Sequence, residues 1–405
     1  MLTIIVLTRT TEFHSVGGFE DHIKLLYTGL SKKNHRIHVI TTRHPDKETL
    51  QVNKDTITYY FLKNTTAGTY TKSWKKESIK KLFELLKCTK ADIIHSQSYG
   101  AEGLSKAEKE GISIPIIASF HGTNYDEYKS FNNVMRYHYP YKILEQIDSY
   151  LKFLWLKTFK DKPFFNRCDT IIATSNEQKK IFKNIYNIAE QKIKTIYNGI
   201  PITNFYPKKT TPSVLESYKL KNGPTLLAVA RFASDKGLEF IIQAMPEIIA
   251  TIPNCNLLII GDGSRRKHLE KYVKKYQLSD TVLMPGFIKF KELPNYFNAC
   301  DLVINYTIRQ NGYDLTMVEA MACEKVVISS NIGSTPTLIQ DNINGILIEK
   351  AKPSLLAKTV ISILNNNNKK EKIEKEARKT IEKSFTAETM INATEKLFYD
   401  IVNEA

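Results

Sequence analysis

Short apolar runs that end in polar or glycine turns and lead into helical stretches recur along the chain, and that alternation restricts the fold more than any other feature. Residues 2–8 (LTIIVLT), 36–41, 57–61, 92–95, 114–120 and 170–173 read as strands, with helical patterns between them at 19–30 and 74–87. Repeats of strand, turn and helix build a parallel, doubly wound α/β sheet, whose strands are apolar throughout because both faces are covered. A second series begins at 225–230 and continues through 256–260, 281–284 and 301–305. Between the series, Asn198-Gly199 and the stretch YPKKTTPSV mark the expected linker. At 405 residues the chain exceeds what one core usually supports, so two domains are expected.

Composition excludes several classes. Hydrophobic residues at 42% and charged residues at 25% are ordinary for a globular protein. No apolar run reaches the roughly 20 residues that span a bilayer. The opening MLTIIVLTRTTEF lacks a basic lead-in and is expected to be a first strand rather than a signal peptide, which implies a cytoplasmic protein. Cys88, Cys168, Cys255, Cys300 and Cys323 form no CxxC pair and have no metal spacing, so they are expected to be packing residues.

Of the +16 formal charge, +11 falls on residues 1–200. Such a bias suits solubility, an anionic membrane surface or nucleic acid, but no zinc-finger, basic-zipper or RNA-recognition signature is present, so nucleic acid is not an expected partner. Segment 125–165, with its core SYLKFLWLKTFKDKPFF, interleaves lysines with large apolar residues. It suits a helix lying on anionic headgroups, and equally a helix covering the outer layer of the first domain. The run NNNNKKEK reads as a loop.

Candidate site residues lie at the carboxyl ends of the strands, where open α/β sheets bind ligands. Gly17 and Gly18 sit in the first strand-to-helix turn, although the GxGxxG fingerprint of dinucleotide enzymes is missing, which disfavours a nicotinamide-dependent dehydrogenase. His121 directly follows the strand IPIIASF. In the second series Arg231 stands just past a strand and Lys236 at the start of the next helix, where an ammonium opposes the helix dipole and so points to a ligand anion. The stretch NYTIRQNGYDLTMVEAMAC runs from a strand through a polar loop into a helix at 315–323. Asp314 stands where a cap belongs, and its carboxylate is expected to accept the first free amides. Glu319 lies too far along to cap; it is either an exposed helical residue or a partner for polyol hydroxyls.

Taken in order, Gly17-Gly18 with Glu20 and His22, then DIIHSQ, FHG, ATSNEQKK, YNGI, ARFASDKG, LLIIGDGSRR, MPGF, ELPNYFNACDLVI and VEAMAC resemble the retaining glycosyltransferases of family 4 over nearly the whole chain. The resemblance implies a GT-B fold, two Rossmann-like domains facing across a cleft. The implied domains are an acceptor-side domain at 1–204, onto which a helix at 386–405 packs back, and a donor domain at 205–385. It further implies metal-independent hexose transfer from a UDP- or GDP-sugar to a glycan or lipid-linked acceptor, with no cofactor. Arg231, Lys236 and amides of Tyr313, Asp314, Leu315 and Thr316 would hold the diphosphate, and Glu319 the ribose. Backbone near Phe287 and Ile288 would meet the base, Gly17 and Gly18 the phosphates, and His121 the donor sugar. The pattern departs at Asn311, where the family often has Glu, and at Asp314, where it has Gly. It departs again at Glu324, Val326, Ser334 and Thr337. A non-catalytic nucleotide-sugar-binding protein is the competing reading of those departures.

Overall fold

The computed structural model describes residues 1–405 except Val16, Lys106, Ala107, Glu110, 209–213, Lys219, Asn311 and Ala405. Two compact units divide the chain. The first comprises Met1–Asn124, Phe153–Gly199 and Ala387–Ala405. Its sheet contains β1 (Thr3–Leu7), β2 (Arg36–Thr42), β3 (Gln51–Lys54), β4 (Ile57–Leu62), β5 (Ile93–Gln97), β6 (Ile116–Phe120), β7 (Thr170–Ala173) and β8 (Ile193–Thr195). The strand order is β3-β4-β2-β1-β5-β6-β7-β8. Every pairing is parallel except β3 with β4. β3, with the sequence QVNK, is a largely exposed edge strand, and its polar pattern hides it from a reading based on apolar runs.

In the helix Gly18–Lys32, Ile23, Leu26, Tyr27 and Leu30 are buried. Their spacing puts one stripe against the sheet, and burial of each large apolar side chain contributes roughly 1.5–3 kcal/mol. Met390, Leu397 and Phe398 of the terminal helix Ala387–Glu404 share that core.

The second unit comprises Tyr125–Lys152 and Ile200–Thr386. Its all-parallel sheet contains β9 (Thr225–Val229), β10 (Asn256–Ile260), β11 (Val282–Gly286), β12 (Leu302–Asn305), β13 (Val326–Ser330) and β14 (Ile346–Ile348). The order β11-β10-β9-β12-β13-β14 places β9 between the strand that follows it and a later one. The gap between β9 and β12 is therefore the switch point of a doubly wound sheet.

Two sequence-based expectations need correction. Tyr125–Lys152 belongs to the second unit, not to the outer layer of the first. Asn133 Nδ2 donates to the Ile308 carbonyl at 2.9 Å, Lys350 Nζ donates to Asn133 Oδ1 at 3.0 Å, and Ser130 Oγ donates to the Gln310 carbonyl at 3.1 Å. These are long-range polar contacts, which hydropathy patterns do not encode. The Asn- and Lys-rich run opens the helix Asn367–Ser384 instead of forming a loop. Asn366 caps it by accepting from the Lys369 amide at 2.9 Å, and Ile373, Ala377 and Ile381, spaced by four, are buried beneath it.

Candidate active site

Three loops meet at the carboxyl edge of β9, β10 and β12. Past β9 the chain passes Arg231 and enters the turn Ser234–Lys236. That turn is pinned to the loop after β12: the Ile308 amide and Thr307 Oγ1 both donate to the Asp235 carbonyl, at 3.0 and 2.8 Å. Gly237 has φ +62, and a Cβ there would lie 2.2 Å from the Tyr306 carbonyl oxygen. Only glycine allows this close approach, which fixes where Lys236 emerges. Gly261, with φ +132, brings the loop after β10 against the Ala230 carbonyl in the same way.

Lys236 is 9% exposed, and its ammonium donates to both oxygens of Asp314, at 2.6 and 2.7 Å. Asn305 Nδ2, at the end of β12, donates to Asp314 Oδ2 at 3.0 Å. Burial opposes ionisation of this carboxyl, but the attraction of Lys236, the bonds from Asn305 and Lys236 and the charge of Arg309 outweigh it, so Asp314 titrates below the usual aspartate range. Asp314 occupies the cap position of the helix Leu315–Ala322, yet its side chain does not cap it. The expectation that it would accept the first amides is thus corrected: a charge-assisted bond to an ammonium outcompetes a neutral amide. Lys236, read from sequence as an ammonium opposing a helix dipole without compensation, is compensated by this pair.

The remaining sequence candidates fall as follows. Arg231 is exposed, and among the described residues its guanidinium makes no hydrogen bond or ion pair. Glu319 is 4% exposed, which removes its reading as a surface residue. Tyr313 is buried with its ring edge-on to Phe385 at 5.7 Å, while Leu315 and Thr316 are half-buried in the first helical turn. Phe287 is 72% exposed and Ile288 half-buried, just beyond β11. Asn311 lies outside the described residues. Sequence reasoning missed a second polar group in this unit: buried Glu239 accepts from Arg265 Nη2 at 2.9 Å and lies 3.6 Å from His138 Nε2. The adjacent arginines of GDGSRR were its only signal.

In the first unit Gly17 precedes the helix in an extended conformation open to any residue, and Gly18 begins it. His121 stands just past β6, with its ring 4.4 Å from that of His22. Asn198 Nδ2 meets His121 Nδ1 at 3.2 Å. Since an amide nitrogen only donates, His121 Nδ1 accepts, and the proton of the neutral ring sits on Nε2. That Nε2 is buried without a hydrogen-bond partner among the described residues, and so are both ring nitrogens of His22. His95, on β5, bonds Tyr27 Oη at 2.9 Å and Ser119 Oγ at 2.7 Å. Burial holds all three imidazoles neutral, with His121 lowered to about 4, His95 to about 3, and His22 well below its ordinary value. In sequence, His22 and His95 were visible only as members of motifs.

Two family models match the chain in tandem: "Glycosyltransferase Family 4" at residues 16–204 and "Glycosyl transferases group 1" at residues 214–380. The alpha-monoglucosyldiacylglycerol synthase of Acholeplasma laidlawii is 25% identical over 401 residues, covering 96% of this chain and 95% of that protein. Sucrose-phosphate synthase from Thermosynechococcus elongatus superposes over 100% of both chains with a TM-score of 0.78 and 18% identity. Anabaena HepE, solved with UDP and glucose, superposes with a TM-score of 0.74 and 16% identity, over 99% of this chain and 100% of its own.

Proposed function

The chain belongs to glycosyltransferase family 4 and has the GT-B fold, and from that membership we propose that it transfers a hexose, with retention of configuration, from a UDP- or GDP-sugar to a glycan or lipid-linked acceptor. The observation that carries this reading is the buried ammonium of Lys236 at the switch point of β9 and β12, tied to the residue that opens the Leu315–Ala322 helix. In this reading Arg231, Lys236 and the amides of 313–316 hold the donor diphosphate. As the bond from the anomeric carbon to the phosphate oxygen breaks, negative charge grows on the diphosphate, and fixed cations and helix-end amides stabilise it without a metal ion. The acceptor hydroxyl adds to the anomeric carbon from the face the diphosphate leaves, and its proton passes to the departing phosphate oxygen. Glu319 accepts from the ribose hydroxyls, and backbone near Phe287 and Ile288 meets the base.

Nucleotide release from a panel of UDP- and GDP-hexoses, with the product anomer read by proton NMR, tests the reading. One donor is expected to turn over, at the same rate after EDTA treatment, and to give a product of unchanged anomeric configuration. Calorimetric binding of a donor without turnover on any acceptor would favour the non-catalytic alternative, and an inverted product would remove retention.

The acceptor side of the proposal draws on the helix Ile143–Leu156. Ile143, Leu144, Ile147, Leu151, Leu154 and Trp155 of this helix are exposed large apolar residues. On a helical wheel these six fall within about a third of the circumference. Phe153, on a different side, is buried. Phe159 continues the surface, 5.9 Å from the Trp155 ring, and Lys152, Lys157, Lys160 and Lys162 are interspersed or follow. Exposed apolar surface of this kind bordered by ammonium groups suits an anionic bilayer. Among the described residues no helix is long and apolar enough to cross one. A lipid acceptor presented at such a surface accords with the diacylglycerol in the name of the Acholeplasma relative. Vesicles containing phosphatidylglycerol are expected to sediment the protein at low salt, less so at high salt. The triple variant Leu144→Ser, Leu151→Ser, Trp155→Ser is expected to lose at least about tenfold in partitioning, since each inserted side chain contributes more than ~1 kcal/mol. Equal partitioning of both proteins would remove this part of the proposal.

A further inference from the structure

The pairing of Lys236 with Asp314 has a consequence for the ligand that Lys236 is proposed to hold. Two oxygens of one carboxylate already lie within 2.7 Å of the ammonium, and Lys236 is 9% exposed, so little water shares it. Asp314 is not free to swing aside. Asn305 Nδ2 grips Oδ2 at 3.0 Å from the end of β12, and Asn305 is itself 8% exposed. A diphosphate reaching Lys236 therefore meets an ammonium whose charge is already balanced, beside a carboxylate that repels it.

We propose that Asp314 is a built-in counter-ion for Lys236, which holds the ammonium in place before the donor arrives and limits how tightly the nucleoside diphosphate is held. The inference rests on the proposal that Lys236 takes the donor diphosphate, and extends it to release of the product. When the hexose has left, the nucleoside diphosphate carries more charge than it did as a donor, and a fixed carboxylate penalises that form most. Exchange of spent nucleotide for fresh donor is thereby favoured. The departure at Asp314 from the glycine common in the family then serves turnover and is not a lost function.

The test is calorimetric titration of UDP and GDP into the full chain and into its Asp314→Asn, Asp314→Ser and Lys236→Met variants at fixed salt, with thermal midpoints measured with and without nucleotide. Asn keeps the shape and still accepts from Lys236 while removing the charge; Ser removes both. Both Asp314 variants are expected to bind the preferred nucleoside diphosphate about tenfold more tightly than the wild type. They are also expected to gain more thermal stabilisation from it, because the ligand then supplies the missing anion. With the preferred donor, KM and kcat should both fall in Asp314→Asn, the signature of slowed release; a merely structural defect would raise KM or leave it unchanged. Unchanged or weaker nucleotide binding in both variants, with binding weakened by Lys236→Met, would overturn the counter-ion role and leave the donor site standing. Unchanged binding in Lys236→Met would instead remove the donor-site reading itself.

Discussion

Replacing Arg231 by alanine is expected to lower kcat/KM by roughly 100-fold or more while leaving the denaturation midpoint unchanged. The side chain is exposed and without a protein partner among the described residues, so folding loses almost nothing with it, within about 0.5 kcal/mol. A cation that meets developing charge on a leaving group, however, contributes about 2.7–4 kcal/mol in comparable sites. Lys236 offers the contrasting case. Lys236→Met removes a cation of the same proposed role and also strands the Asp314 carboxylate, so activity and stability should fall together, the latter by about 3–5 kcal/mol. Adding Asp314→Leu to Lys236→Met removes the stranded charge and should restore much of the stability and none of the activity. Steady-state kinetics beside urea denaturation separate the effects. Full activity in Arg231→Ala would show that the guanidinium does not face the reacting phosphate.

Mild acid is expected to destabilise the protein through the histidines of the first unit. His22, His95 and His121 are buried and neutral, with folded-state pKa values depressed by burial to well below normal, about 3 and about 4. In the unfolded chain each titrates near about 6.5. As pH falls through that value the unfolded state takes up protons that the folded state refuses, so stability is complete above it and declines below it. Each group costs about 1.4 kcal/mol over the window from pH 7.5 to 5.5, roughly 4 kcal/mol for the three. His14, His38 and His268, lowered by burial to a lesser degree, act in the same direction. Urea midpoints at the two pH values measure the slope. His22→Leu isolates one contribution: both ring nitrogens lack partners, so the variant should be no less stable at pH 7.5 and should lose about a third of the acid sensitivity. Midpoints identical at both pH values would mean that these rings are protonated in the folded protein.

The architecture was legible in the sequence because its cause is local and repeated. A strand covered on both faces must be apolar throughout, as IIVL in β1 and NLLII in β10 are, and both of these runs are followed by a turn and a helix. The same logic failed where stability does not come from apolar runs. β3 is polar because it is an edge, and the Asn- and Lys-rich opening of the Asn367–Ser384 helix looks like a loop until Asn366 is seen to cap it. Arg231, Lys236, Asp314 and Glu319 could be selected from sequence because strand ends and helix starts carry ligand chemistry whatever the side chains do next.

Only the tertiary structure decided how those side chains pair. Nothing between Lys236 and Asp314 in sequence announces a bidentate ion pair; it exists because β9 and β12 are neighbours in the sheet and Gly237 lets one loop lie against the other. Likewise, the lysine-rich apolar helix near Trp155 reads in sequence as either a covering layer or a surface stripe, and the burial of Phe153 beside exposed Leu144, Leu151 and Trp155 separates the two. Periodicity specifies which residues share a face. What that face meets depends on elements far away in the chain, and so does the protonation of His22, which follows from its burial against the His121 ring.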